Sequence, residues 1–121
     1  MATKTKTEPA PVEAAVNEVR LVGRLAAPAE IRELPSGDVL LSFRVVVDRP
    51  AGPQRRQPVD ALECVAWNGR VRRSVQSWRR GDLVELSGAV RRRFFRTAAG
   101  PASRVEIEVS GARLLRRSTS G

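Results

Sequence analysis

Hydrophobic and polar residues alternate along most of this chain, and alternation at period two predicts strands. In residues 19–25, Val19, Leu21, Gly23 and Leu25 face one way, and Arg20, Val22 and Arg24 the other. Gly23 inside that pattern predicts a bend or a close backbone approach. A short stretch, Ile31 to Leu34, runs into a turn at Pro35-Ser36-Gly37-Asp38. A second strand follows from Val39 to Asp48, with Leu41, Phe43, Val45 and Val47 toward a core and Ser42, Arg44 and Asp48 outward. A third runs from Val59 to Trp67, with Leu62, Cys64 and Ala66 inward and Ala61, Glu63, Val65 and Trp67 outward.

The period then changes. Val71, Val75 and Trp78 recur at i, i+4 and i+7 and predict a short helix over about Gly69 to Arg80. Asn68 is its expected N-cap and Gly81 its expected C′ residue. Trp78 is therefore expected in the core. Past Gly81-Asp82, a fourth strand places Val84, Leu86, Gly88 and Val90 inward. Beyond Val90 the pattern carries Arg91, Arg93 and Phe95 on one face and Arg92, Phe94 and Arg96 on the other. Thr97 to Pro101 is read as a hairpin loop. In the last strand Val105, Ile107 and Val109 alternate with Arg104, Glu106 and Glu108.

The order is strand, strand, strand, helix, strand, strand. This is an all-β chain with one short helix, laid out as an OB-fold, a five-stranded Greek-key barrel whose face and loops bind oligonucleotides. Residues 1–16, rich in Thr, Pro and Ala, are expected to be a disordered tail. Residues 17–116 form the domain, and 117–121 a short tail. Residues 49–58, with three prolines and three arginines including Arg55 and Arg56, are expected to be an exposed basic loop.

Charge narrows the function. The chain has 22 basic and 13 acidic residues, a net charge of +9, and only two of the basic residues are lysines. Such a surplus favours a polyanionic partner. Arginine beside phenylalanine on one strand suits a single-stranded nucleic acid, since guanidinium pairs with phosphate and a ring stacks on a base. The chain has one cysteine and no histidine. No intrachain disulfide, metal cluster, phosphate-cradling glycine loop or catalytic base emerges, so no enzyme, cofactor or small-molecule substrate is expected. No apolar run is long enough for a membrane span and no signal segment is visible, so a cytoplasmic location is expected. Cys64 is expected to be a small buried residue.

Read together, several pieces are similar to bacterial single-stranded DNA-binding proteins. They are Asn17 to Leu25, Glu30-Ile31-Arg32 with Leu34-Pro35-Ser36-Gly37, Ser42-Phe43-Arg44-Val45, Trp67-Asn68 and Arg80 to Gly88. The resemblance runs from about Asn17 to Arg116. It implies single-stranded DNA wrapped over the barrel, with bases on outward aromatics and phosphates on basic side chains. Trp67 and Phe95 match two stacking positions. Two others do not match, at Arg49-Pro50-Ala51-Gly52 and at Ala61-Leu62. The expected contacts are therefore Arg20, Arg24, Arg44, Arg55, Arg56, Trp67, Arg91, Arg93, Phe95 and Arg96. The resemblance also implies a homo-oligomer, a tetramer or dimers, and a part in DNA replication, recombination or repair. Replicative members end in a long acidic tail, whereas this sequence ends Arg116-Arg117-Ser118-Thr119-Ser120-Gly121. An accessory member is expected, with a primosomal or RNA-binding OB protein as the alternative.

Overall fold

The computed structural model describes residues 14–50 and 58–119. Six strands and one helix follow in the order β1 (Val19–Leu25), β2 (Glu30–Glu33), β3 (Val39–Asp48), β4 (Val59–Ala66), α1 (Gly69–Gln76), β5 (Leu83–Thr97) and β6 (Gly100–Arg116). The sheet order is β1-β5-β6-β4-β3-β2, and a further pairing of β1 with β3 closes it. The closed barrel uses β1, β3, β4, β5 and β6, as expected for an OB-fold. The Ile31 stretch is a four-residue strand, β2, hydrogen-bonded to the edge of β3. Its return turn uses Gly37 at φ 94°.

The core follows the alternation. Leu25, Leu41, Phe43, Val45, Cys64, Ala66, Val84, Leu86, Ile107 and Val109 are buried together with Val71, Val75 and Trp78 of the helix side. Closing so small a barrel brings backbones into contact at two glycines. A Cβ on Gly23 would lie 2.4 Å from the Val46 carbonyl oxygen, and one on Gly88 would lie 2.0 Å from that of Glu108. Both contacts require glycine's missing side chain.

Helix α1 is shorter than its periodicity suggests. Asn68 caps it as expected, its Oδ1 accepting from Arg70 N at 2.8 Å. The helix ends at Gln76 with Ser77 as C-cap. There the backbone tightens to i+3 bonds, Ser77 N and Trp78 N donating to Ser74 O and Val75 O. This turn swings Trp78 into the core, edge-on to Phe43 at 6.2 Å between centroids. Gly81 is not the helix C′ residue. It sits at φ 88° in the next turn, where its N–H donates to Leu25 O at 2.8 Å.

Strands β5 and β6 outrun the barrel. They pair from Leu83↔Arg116 to Thr97↔Gly100, so the expected five-residue loop is a tight turn at Ala98-Ala99, and β6 begins at Gly100. The arm changes the burial pattern. Val105, on the apolar side of the alternation, is 48% exposed, and Val90 is also exposed, where the arm extends past the barrel. Glu106, on the charged side of the same alternation, is only 4% exposed. Val65, expected outward, is buried, and Leu62 is only half-buried. Of the expected N-terminal tail, residues 14–16 are exposed without regular structure, and 1–13 lie outside the described residues.

Candidate nucleic-acid interface

Register decides which side chains meet. Residues directly opposite each other in an antiparallel pair share a face. Arg91 lies opposite Glu106, Arg93 opposite Arg104 and Phe95 opposite Ala102. Val65 of β4 lies beside Glu108 of β6, and Ser42 of β3 lies opposite Val65. The outer face of β3, β4, β6 and β5 is therefore one surface. It carries Arg44, Val65, Trp67, Glu106, Glu108, Arg104, Arg91, Arg93 and Phe95.

Trp67 sits just past the end of β4, between two grooves. One, of about 310 Å³, is floored by Leu40 and Val65 and bordered by Trp67, Phe94, Phe95, Arg93 and Arg104. The other, of about 460 Å³, is bordered by Trp67, Asn17, Arg91, Glu108 and Ser110. Trp67 Nε1 is buried and has no hydrogen-bond partner among the described residues. Such an orphan N–H beside an open groove suits an acceptor on a ligand. Phe95 is 43% exposed and Phe94 78%. Phe94 was visible in the sequence as an aromatic neighbour, but only the hairpin's placement shows that it borders the groove.

The arginines are arranged differently from a bare cationic strip. Arg91 Nε donates to Glu108 at 2.6 Å and Arg93 Nε to Glu106 at 2.7 Å. Arg44, opposite Glu63 in the register, donates to it through Nε at 2.6 Å. The Arg93 guanidinium also lies over Trp67, with Cζ 5.9 Å from the ring centroid. Arg104, which sequence patterning did not single out, has Cζ 5.6 Å from the centroid of Phe95. Its role depends on strand pairing, and no local signal marks it.

The remaining expected contacts are dispersed. Arg20 is paired with Glu85 at the opposite end of β5, six residues from Arg91 and thus about 20 Å along the strand. Glu85 also accepts from Arg113; that bond first, then the one from Arg20, holds its carboxyl below the usual range. Arg24 makes two hydrogen bonds to Asp48, of 2.8 and 3.1 Å, away from Trp67. Those bonds depress the Asp48 carboxyl and raise the guanidinium. Arg96 lies near the arm's tip and is exposed, without a carboxylate partner among the described residues. Arg55 and Arg56 lie outside the described residues. So Arg44, Trp67, Arg91, Arg93 and Phe95 come together, and Arg20 and Arg24 do not join them.

The other chemistry is quiet. Cys64 is fully buried; burial first, then Glu63 and Glu106, pushes its thiol up to about 12. Among the described residues no acidic or thiol cluster could hold a metal, and no helix is long and apolar enough to cross a membrane.

Known proteins share both the sequence and the fold. A single-stranded DNA-binding protein 3 of Listeria innocua is 33% identical over 79 residues, covering 64% of this chain and 49% of that protein. A single-stranded DNA-binding protein of Mycobacterium bovis is 32% identical over 97 residues, covering 75% of this chain and 59% of that protein. The chain thus spans roughly half the length of these relatives. The structure of a Plasmodium falciparum SSB complex with ssDNA matches the fold with a TM-score of 0.70 at 20% identity, covering 86% of this chain and 96% of that one. The single-strand binding protein family matches residues 16–115, which takes in the closed barrel and its arm except for the last residue of β6, and the chain belongs to that family.

Proposed function

We propose that this protein binds single-stranded DNA largely without sequence specificity, by base stacking and arginine–phosphate contacts. The observation that carries the reading is the placing of Trp67 and Phe95 around one groove, with arginines beside both. Aromatic platforms flanked by cations on an OB barrel suit an unpaired strand, because every base has a face to stack and every nucleotide a phosphate. Trp67, Phe95, Arg91, Arg93 and Arg44 are its centre, and Arg96 reaches a phosphate beyond it. Arg20, Arg24, Arg55 and Arg56 extend the contact along a longer strand. The protein serves as a binding protein rather than an enzyme, in the cytoplasm, as a homo-oligomer. It has an accessory part in DNA replication, recombination or repair.

The test is a titration of the protein into labelled, matched single-stranded DNA, RNA and duplex oligomers, following the anisotropy of the oligomer's label. Single-stranded DNA should bind more tightly than duplex, and Trp67→Ala and Phe95→Ala should each weaken it by about 1–3 kcal/mol without unfolding the domain. Equal or tighter binding of RNA would transfer the site to RNA, since the 2′-OH is the systematic difference. Unchanged affinity in both variants would remove the groove from the interface.

A further inference from the structure

Two carboxylates among the described residues are buried, Asp82 and Glu106. Asp82 closes a turn far from the groove, but Glu106 lies inside it. Its Oε2 accepts from Arg93 Nε at 2.7 Å, and its Oε1 is 3.6 Å from Arg104 Nε. Those are the two guanidiniums that lie over Trp67 and Phe95. One sealed carboxylate therefore fixes two cations, each on a different ring. A ring face with a guanidinium over it is not open to a base.

We propose that Glu106 is a positioning residue that holds Arg93 and Arg104 on the stacking rings of the free protein, so that single-stranded DNA binds by exchange. Bases take the ring faces, and the released guanidiniums turn to phosphates. This rests on the reading of the groove as a single-stranded DNA site. Exchange runs toward the complex because a base stacks on a ring more strongly than a half-exposed guanidinium does. It has an ionic cost: Glu106, left without its cations, repels the strand or takes up a counterion. Glu106 therefore sets how much of the affinity is ionic and how open the rings are before DNA arrives.

The test uses Glu106→Gln in the full chain, with Glu63→Gln as control. Without DNA, acrylamide should quench Trp67 more in Glu106→Gln than in wild type, while Trp78 in the core stays silent. Glu63→Gln, which frees only Arg44, should leave that quenching unchanged. With an oligothymidylate, Glu106→Gln should bind about tenfold more tightly at low salt. Its slope of log K against log salt should steepen by about 0.7, one phosphate equivalent. Should Glu106→Gln fail to fold, Glu106→Asp keeps the charge but draws it back by one methylene from both guanidiniums, and should raise quenching in the same way. Unchanged quenching in the folded variants, or binding by Glu106→Gln no tighter than wild type, overturns the proposal. Wild type that binds no single-stranded DNA sinks the functional reading instead, a separate result from a wild type that binds and a variant that binds identically.

Discussion

Asp82 and Arg117 are joined across the seam where the chain leaves the barrel: Arg117 Nη1 donates to Asp82 Oδ2 at 2.9 Å. The Asp82 side chain is fully buried. It also accepts from Arg79 N and Ser118 N, both at 2.8 Å. One carboxylate thus ties the α1–β5 turn to the segment after β6. Burial alone would raise its pKa, but the Arg79 and Ser118 N–H groups, with Arg117, outweigh burial and lower it.

A lowered folded-state pKa means that this contribution is fully present above the unfolded value, near 3.9, and is lost as pH falls through the folded one. Asp82→Asn should cost about 1.5–3 kcal/mol at pH 7, the scale of charge-assisted bonds. The deficit should shrink when wild type and variant are compared near pH 2–3. Urea unfolding at the two pH values measures it. An equal deficit at both would mean that shape, not charge, holds the seam.

Gly88 faces the Glu108 carbonyl so closely that a Cβ would lie 2.0 Å away. Gly88→Ala should force β5 and β6 apart and destabilise the fold by about 1–3 kcal/mol, as overpacking does. Thermal unfolding gives the value. Gly100→Ala has open space around it and only its φ of 122° against it, so strain alone should register there.

The two tryptophans should behave oppositely. Trp78, buried against Phe43, should cost about 3–5 kcal/mol of stability as Trp78→Ala, with unchanged affinity per folded molecule. Trp67→Ala should mainly cost affinity. Paired unfolding and binding curves separate them.

Arg91 is held by Glu108 before any strand arrives. Arg91→Ala removes a phosphate contact and also leaves Glu108 facing the DNA. It should therefore weaken binding more than Arg96→Ala, whose only loss is one contact worth about 0.7 in the salt slope. Adding Glu108→Gln to Arg91→Ala should recover much of the difference. A salt series on wild type, Arg91→Ala, Arg96→Ala, Glu108→Gln and the double variant decides it; additive effects of Arg91→Ala and Glu108→Gln would show that the pair does not matter to binding.

Cys64, buried and with its thiol pushed up to about 12, should resist a thiol reagent at pH 8 in the native protein and react on unfolding. Native reactivity at the rate of a free thiol would contradict its burial.

Local order was legible in the sequence because it depends on near neighbours. Alternation at Leu41, Phe43 and Val45 gave the core face of β3, and the i, i+4, i+7 spacing put Trp78 inside. Asn68 marked the helix start, and Trp67 fell where a strand meets a helix at the barrel's rim. Alternation separates two faces of a strand, but it says neither which is covered nor what lies opposite. Val65 is buried on the outer face at the floor of a groove walled by the β5–β6 arm and the β2 hairpin, and Val105 is bare because the arm has outrun the barrel. The pairing of Arg44 with Glu63, Arg91 with Glu108 and Arg93 with Glu106 joins residues 13 to 19 positions apart through strand register. So the sequence by itself determined where strands, helix and charges fall. Only the tertiary structure decided which charges are already spent on each other, because register is fixed by closing the barrel as a whole.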